Sequence, residues 1–550
     1  MYATSNGIVD ESRNSMNPTG PREPPNPNEM AQRLTQLIQQ GKAASVLPRV
    51  DELASVYRDH PGVLHAISEV ALISKNFPDA IQFAERALAL DKHSVRYKLQ
   101  LAMCLVASND QFRAGEVLNS IEPVVGDSDQ LASMLASLYV RIDSHERAVK
   151  FYERAIELDS KNAKHYFSLA ATYRFMGRLA EAEQACDNAL ECDPSEYEAY
   201  LIRADLRKQT EDNNHISRME SVLADGVDEY MGEVMLCHAI AKECEDVGQY
   251  EKSFRHLSIG AALRRKHLSY DVGKDLRIIN RIIEVFSEGR MRQMRPSGCC
   301  STAPIFVIGM PRTGTTLVER IIGSHSTVTS AGELPNFSQL MTRMVREQNV
   351  GQAVSQEEMI AASLDLDMVQ LGESYVESTR GIAGETPNFI DKLPFNYLNV
   401  GLIHLALPNA KIVHVTRDPM DTCYAVFKTL FQRAYPFSYD LEDLGQYFVA
   451  YQGLMDHWHK LLPNRMHSIS YEALVQDSET QSRRLIEHCG LDWEDQQSRF
   501  YESEAPSTTA SASQVRQPVY SSSVGKWRNY ERELLPLSRL LQTANVEIQR

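Results

Sequence analysis

A 34-residue period runs through the N-terminal half of this chain and leaves few folds open to it. Ala80, Ala114, Ala148 and Ala182 stand 34 residues apart, and Ala102, Ala136, Ala170 and Ala204 form a second ladder with the same step. Leu101, Leu135 and Leu169 keep that spacing, as do Tyr139 and Tyr173; Ala87, Ala155 and Ala189 share it too, with Ile121 filling their gap. Asp91, Asp159 and Asp193 each close an amphipathic helix, in the runs ALALD, AIELD and ALECD. Two helices per period, with small residues where they cross, approach closely but cannot bury their apolar faces alone, so neighbouring pairs must stack. Regular pairs are expected over 60–209 and less regular ones from Met30 to Phe286, among them a helix over Tyr250–Arg264.

The pattern resembles the tetratricopeptide repeat, which implies an α-helical solenoid. Such an array offers a groove to a peptide; the other reading is a rigid arm that packs on the rest of the chain or joins copies into a homo-oligomer. The period itself says nothing about the ligand.

A net charge of −16 argues against a nucleic-acid partner, because neutralising phosphates needs a basic surface, though it leaves room for a local basic pocket. The nine cysteines are odd in number and have no C-x-x-C or zinc-type spacing. They read as reduced thiols of a cytoplasmic protein without a metal site. The first residues are rich in Asn, Pro, Ser and Gly, which suits a disordered tail over 1–29 rather than a signal peptide. No apolar run reaches the length of about eighteen residues that a membrane span needs. An array over 30–287 is then expected, a linker over 288–302 that contains the Cys299–Cys300 pair, and a second domain over 303–550.

That second domain opens with an apolar run, Ala303–Ile308, expected to be a buried parallel strand. Gly309-Met310-Pro311-Arg312-Thr313-Gly314-Thr315-Thr316 follows, then an amphipathic helix over Leu317–Gly323. Strand, glycine loop and helix direct several backbone N–H groups and a positive helix end at one anion. The glycines fit a Walker A frame, but Thr315 stands where its lysine belongs. The cation has moved to Arg312, whose planar fork can clamp an oxyanion through two bonds. The expected architecture is therefore a helical repeat solenoid followed by a P-loop-like α/β domain with a central parallel sheet.

The run IFVIGMPRTGTTLVERIIGSH resembles the 5′-phosphosulfate loop of sulfotransferases that use 3′-phosphoadenosine 5′-phosphosulfate (PAPS). It is especially similar to the tyrosylprotein sulfotransferases and to bacterial proteins that join such a domain to tetratricopeptide repeats. The resemblance implies that Arg312, Thr313, Gly314, Thr315 and Thr316 hold the 5′-phosphosulfate. It also assigns Arg417, in the Arg417-Asp418-Pro419-Met420-Asp421 run after the strand Ala410–Thr416, to the 3′-phosphate. By itself that run reads equally as an Arg–Asp cap that fixes a turn. The family places a serine eight residues beyond this arginine, where this chain has Ala425; either Thr422 or another hydroxyl replaces it, or 3′-phosphate affinity is weakened. Ser511, Gln514 and Lys526 fall in a segment similar to the one that closes over the nucleotide. Tyr471 matches a further nucleotide contact, although a plain core tyrosine fits it as well.

For catalysis the resemblance implies Glu333 as general base, with Arg312, Lys392 and Ser511 stabilising the oxygen that leaves. Taken alone, Glu333 reads as a helix-start carboxylate. Lys392, between apolar residues at a strand end, calls for a partner or a function, because a buried lone ammonium is costly. His325 lies nearby, the residue type many small-molecule sulfotransferases use as base; His414, His457 and His459 read as structural. The implied activity is sulfuryl transfer from PAPS, without a metal, to a hydroxyl on a peptide, protein or glycan, tyrosine included. A nucleotide-dependent P-loop enzyme of another class is the alternative that Thr315 argues against; a repeat scaffold with a decayed transferase site is the one that Ala425 favours.

Overall fold

Each rung of both alanine ladders is 0% exposed in the computed structural model, which describes residues 25–108, 110–294, 296–350, 353–384, 386–431, 434–502 and 521–548. Crossing points that admit no side chain larger than a methyl group account for the alanines. Asp91, Asp159 and Asp193 cap the helices Phe77–Leu90, His145–Leu158 and Leu179–Cys192, each with its N–H on the carbonyl four residues back. The helix expected over Tyr250–Arg264 runs over Tyr250–Lys266.

The chain divides into two compact units after Gly126. In the first, helices from Pro27–Gln39 onward pack around Leu34, Leu53, Val63, Leu64 and Ile67. That first helix starts inside the stretch expected to be a tail, because Pro27 suits the opening turn and Asn26 caps it by accepting the Asn28 N–H at 2.9 Å. The second unit holds the remaining repeats together with the α/β fold, so packing does not divide at the expected linker. That stretch carries a short helix, Glu288–Gln293, supported by an Arg292–Glu288 ion pair one turn apart. Further on, the Cys299 N–H donates to the Ala406 carbonyl at 2.8 Å. A Cβ on Gly298 would lie 2.1 Å from that same carbonyl oxygen, so only glycine fits there.

Five strands make one parallel sheet in the order β2-β3-β1-β4-β5: β1 Pro304–Ile308, β2 Val328–Ser330, β3 Asn388–Asp391, β4 Lys411–Thr416 and β5 Met466–Ser470. β1 is buried along its whole length and feeds both faces by simple alternation. Ile305 and Val307 join Val413, Val415, Ile321 and Leu485 on one face, while Phe306 and Ile308 join the larger core on the other. Phe254, Leu257, Ile279, Ile282, Val285 and Phe286, from the last two array helices, belong to that larger core. Phe286 meets Trp458 edge-on at 5.5 Å, and Phe254 lies 5.9 Å from Phe427. Burying six such side chains stabilises by on the order of 10 kcal/mol, as much as the net stability of a whole domain.

Candidate active site

Each strand of the sheet delivers one expected site residue just beyond its carboxyl end. Arg312 follows β1, Glu333 follows β2, Lys392 follows β3, Arg417 follows β4 and Tyr471 follows β5. Strand order reverses on either side of β1, and open parallel sheets bind their ligands in the crevice at that point.

The β1 loop is shaped by backbone. Gly314, at φ +102°, precedes the helix Thr315–Gly323; a Cβ on it would come within 2.7 Å of the Tyr471 ring. A Cβ on Gly309 would stand 2.5 Å from the Val415 carbonyl oxygen. Arg312 adopts φ +68°, a conformation that costs a non-glycine residue roughly 1–3 kcal/mol and clusters at functional loops. Its carbonyl accepts the Arg417 Nη1–H at 3.0 Å, which braces the loop from the neighbouring strand. The buried Thr313 turns its hydroxyl back onto the Met310 carbonyl at 2.8 Å, and Thr315 and Thr316 are buried at the helix start.

Arg417 also donates to the Ser523 carbonyl at 2.5 Å and lies over the Tyr471 ring, 4.9 Å from its centre. Among the described residues its buried Nε has no partner. Asp418 caps the helix Pro419–Phe427 through the N–H groups of Met420 and Asp421. Asp421, 1% exposed, reaches the C-terminal segment: it accepts the Gly525 N–H at 2.5 Å and the Trp527 N–H at 3.2 Å. This run therefore both caps its own helix and anchors the turn that carries Lys526. Ala425 is buried in the same helix, and the Thr422 hydroxyl points to the Arg417 carbonyl at 3.4 Å.

Glu333 and Lys392 meet. The Lys392 Nζ lies 2.6 Å from Glu333 Oε1 and 3.9 Å from Glu319 Oε2. Lys392 is 1% exposed whereas Glu333 is open to solvent, so the pair has a closed side and a side a substrate can approach. Glu319 accepts the Ser330 hydroxyl at 2.5 Å; burial pushes its carboxyl up, against the pull of Lys392. Asp391 lies behind the pair at 0% exposure, taking the Tyr375 hydroxyl at 2.8 Å, Asn396 Nδ2 at 3.2 Å and the Leu334 N–H at 3.4 Å. Burial raises its carboxyl to about 7. Its bonds tie the loop after β3 to the residue following Glu333. The hydroxyl of Tyr435 is pushed up by burial and then by the charge of Glu333.

His325 is committed elsewhere: its Nε2 pairs with the Asp492 carbonyl at 2.9 Å and its Nδ1 with Thr327. His414 bridges His459 at 3.2 Å and the Tyr451 hydroxyl at 2.7 Å, and His457 binds the Phe286 carbonyl at 3.0 Å. Ser511 and Gln514 lie outside the described residues. Among the described residues no group of three or more His, Cys, Asp or Glu could hold a metal, and no helix is long and apolar enough to cross a membrane. Sequence reasoning passed over Asp391 and Asp421, although a carboxylate at the end of an apolar strand or inside a buried helix was visible in FIDK and RDPMD.

Residues 304–495 match the model of the sulfotransferase family, and residues 71–138, 130–162 and 151–184 match tetratricopeptide repeat models. An uncharacterized protein of Aquifex aeolicus (strain VF5) is 33% identical over 374 residues, covering 67% of this chain but 48% of its own length. Protein-tyrosine sulfotransferase A of Caenorhabditis elegans is 24% identical over 241 residues, 41% of this chain and 61% of that protein. The chain thus spans about half of one relative and three-fifths of the other. Among solved structures, the sulfotransferase domain from the curacin biosynthetic pathway aligns over 46% of this chain and 100% of its own, at 19% identity and a TM-score of 0.32.

Proposed function

We propose that this chain, which joins tetratricopeptide repeats to a domain of the sulfotransferase family, moves a sulfuryl group from PAPS to an acceptor hydroxyl. The observation that carries this reading is the convergence of Arg312, Glu333, Lys392, Arg417 and Tyr471 at one carboxyl edge of the sheet, with Glu333 and Lys392 in contact. A nucleotide suits the residues present: the buried Arg417 Nε has no partner among the described residues, which suits an anionic oxygen beside the β1 loop.

When bound, PAPS supplies an activated sulfuryl group and leaves as 3′-phosphoadenosine 5′-phosphate (PAP). The loop N–H groups and the start of the helix Thr315–Gly323 hold negative oxygens. Arg312 binds them through its fork, and Arg417 with Lys526 takes the 3′-phosphate. Glu333 accepts the proton of the attacking hydroxyl as the new S–O bond forms. Lys392, already beside Glu333, supplies positive charge to the oxygen released when the old bond breaks. Ser511 is proposed to assist there. The acceptor proposed is a hydroxyl on a peptide, protein or glycan, tyrosine included, presented with the help of the repeat groove.

Labelled-sulfate transfer from PAPS to proteins and glycans of a lysate tests this. Labelled product is expected with the unaltered chain, and Glu333→Gln should keep nucleotide binding while losing roughly 10²–10⁴ in turnover. Unchanged turnover of Glu333→Gln at saturating donor would remove Glu333 from the chemistry; no transfer by the unaltered chain would remove the activity.

A further inference from the structure

Glu245 belongs to the helical array, near the end of the helix Tyr230–Asp246, yet its carboxylate is seated among groups of the α/β fold. Its side chain is 11% exposed. Lys428 Nζ lies 2.8 Å from Oε1 and 3.2 Å from Oε2, and Lys526 Nζ lies 2.8 Å from Oε1. The Tyr424 hydroxyl donates to Oε2, and the Tyr530 hydroxyl does so at 3.2 Å. Burial alone would push this carboxyl up, but Lys428 and Lys526 outweigh it and hold the group well below the usual carboxylate range.

The two lysines belong to the donor side of the site. Lys428 follows the helix that begins after Arg417 and is close enough to Arg312 to feel its charge. Lys526 sits on the turn that Asp421 holds through Gly525 and Trp527. Array side chains close over that turn as well: Tyr250 meets the Tyr530 ring edge-on at 5.5 Å, and Phe254 lies 5.8 Å from it. The turn is thus gripped from the α/β side by Asp421 and from the array side by Glu245.

We propose that Glu245 is a positioning residue of the donor site, a carboxylate supplied by the helical array that aims Lys526 at the phosphates of a 3′-phosphorylated nucleotide. This rests on the donor reading given above. An ammonium has three N–H donors, so Lys526 can hold the carboxylate and an anionic oxygen together. Fixing its long side chain beforehand removes part of the ordering cost of binding. On this account the array completes the donor pocket.

Calorimetric titration of PAP into the 550-residue chain tests it, using Glu245→Gln, Lys526→Gln and the double variant. Glu245→Gln should weaken PAP binding about tenfold, the order of one charged hydrogen bond. Donor KM should rise while turnover at saturating donor stays put. The double variant should bind no more weakly than Lys526→Gln alone, because the effect of Glu245 passes through that lysine. Unchanged affinity in Glu245→Gln, or losses that simply add in the double variant, would overturn the proposal. If Glu245→Gln does not fold, Glu245→Asp keeps the charge one methylene shorter. A weakening of a few-fold that vanishes beside Lys526→Gln then supports the proposal, and affinity equal to the unaltered chain refutes it. An unaltered chain that binds no PAP sinks the donor reading itself and this proposal with it, a result distinct from the other two.

Discussion

An ammonium that is 1% exposed has to be compensated, and Lys392 finds Glu333 and Glu319. Leaving such a charge without its partner costs about 3–5 kcal/mol, which explains why a lysine at the end of an apolar strand points to chemistry or pairing. Asp391, one residue earlier, poses the opposite problem: a carboxyl buried deeply enough to titrate at about 7. Its unfolded value is near 3.9, so the folded chain binds the extra proton between those values. Stability from this group is therefore greatest at low pH and is lost as pH rises through about 4 to 7. Asp391→Asn removes the titration, so the gap in unfolding free energy between variant and unaltered chain should change with pH across that window. Denaturant melts at intervals from pH 4 to 8 would show it; a constant gap would contradict the assignment.

The elements were largely legible because they repeat or run apolar. The strands expected over 303–308 and 410–416 appear at Pro304–Ile308 and Lys411–Thr416, and the solenoid follows its alanine ladders. What could not be read was anything closed over a long sequence distance. Glu245 sits in an unremarkable helix until Lys428 and Lys526 arrive from far downstream, and nothing around Asp421 announces that it will hold Gly525. The β1 loop lies between these cases: its glycines were plain, but the reason for Gly314 is the Tyr471 ring delivered by β5. Gly314→Ala adds a methyl group 2.7 Å from that ring at a φ of +102°. We expect loop and ring to be forced apart, with PAP affinity lowered at least tenfold and an unfolding free energy lower by about 1–3 kcal/mol. Unaltered PAP affinity in a folded Gly314→Ala chain would show that the loop does not hold the nucleotide.

At the scale of the molecule, the apolar core joins what the sequence seemed to separate. Phe254, Leu257, Ile279, Ile282, Val285 and Phe286 come from array helices yet belong to the larger core of the sheet. A chain cut to 303–550 would expose the surfaces they cover, so it should aggregate or melt without cooperativity, while 127–550 should melt in one cooperative step. A stable, monomeric 303–550 fragment would contradict this. The same continuity brings Glu245 of the array into contact with Lys428 and Lys526 of the α/β fold.

Under the proposed function, the five loop ends at the carboxyl edge of the sheet bind a sulfated, 3′-phosphorylated nucleotide through arginine in place of a Walker lysine and its magnesium. Titrating PAP into the chain with and without magnesium measures this directly. Saturable binding that is indifferent to magnesium and lost in Arg312→Ala is expected. No heat up to millimolar PAP, or binding that requires magnesium and survives Arg312→Ala, would contradict it.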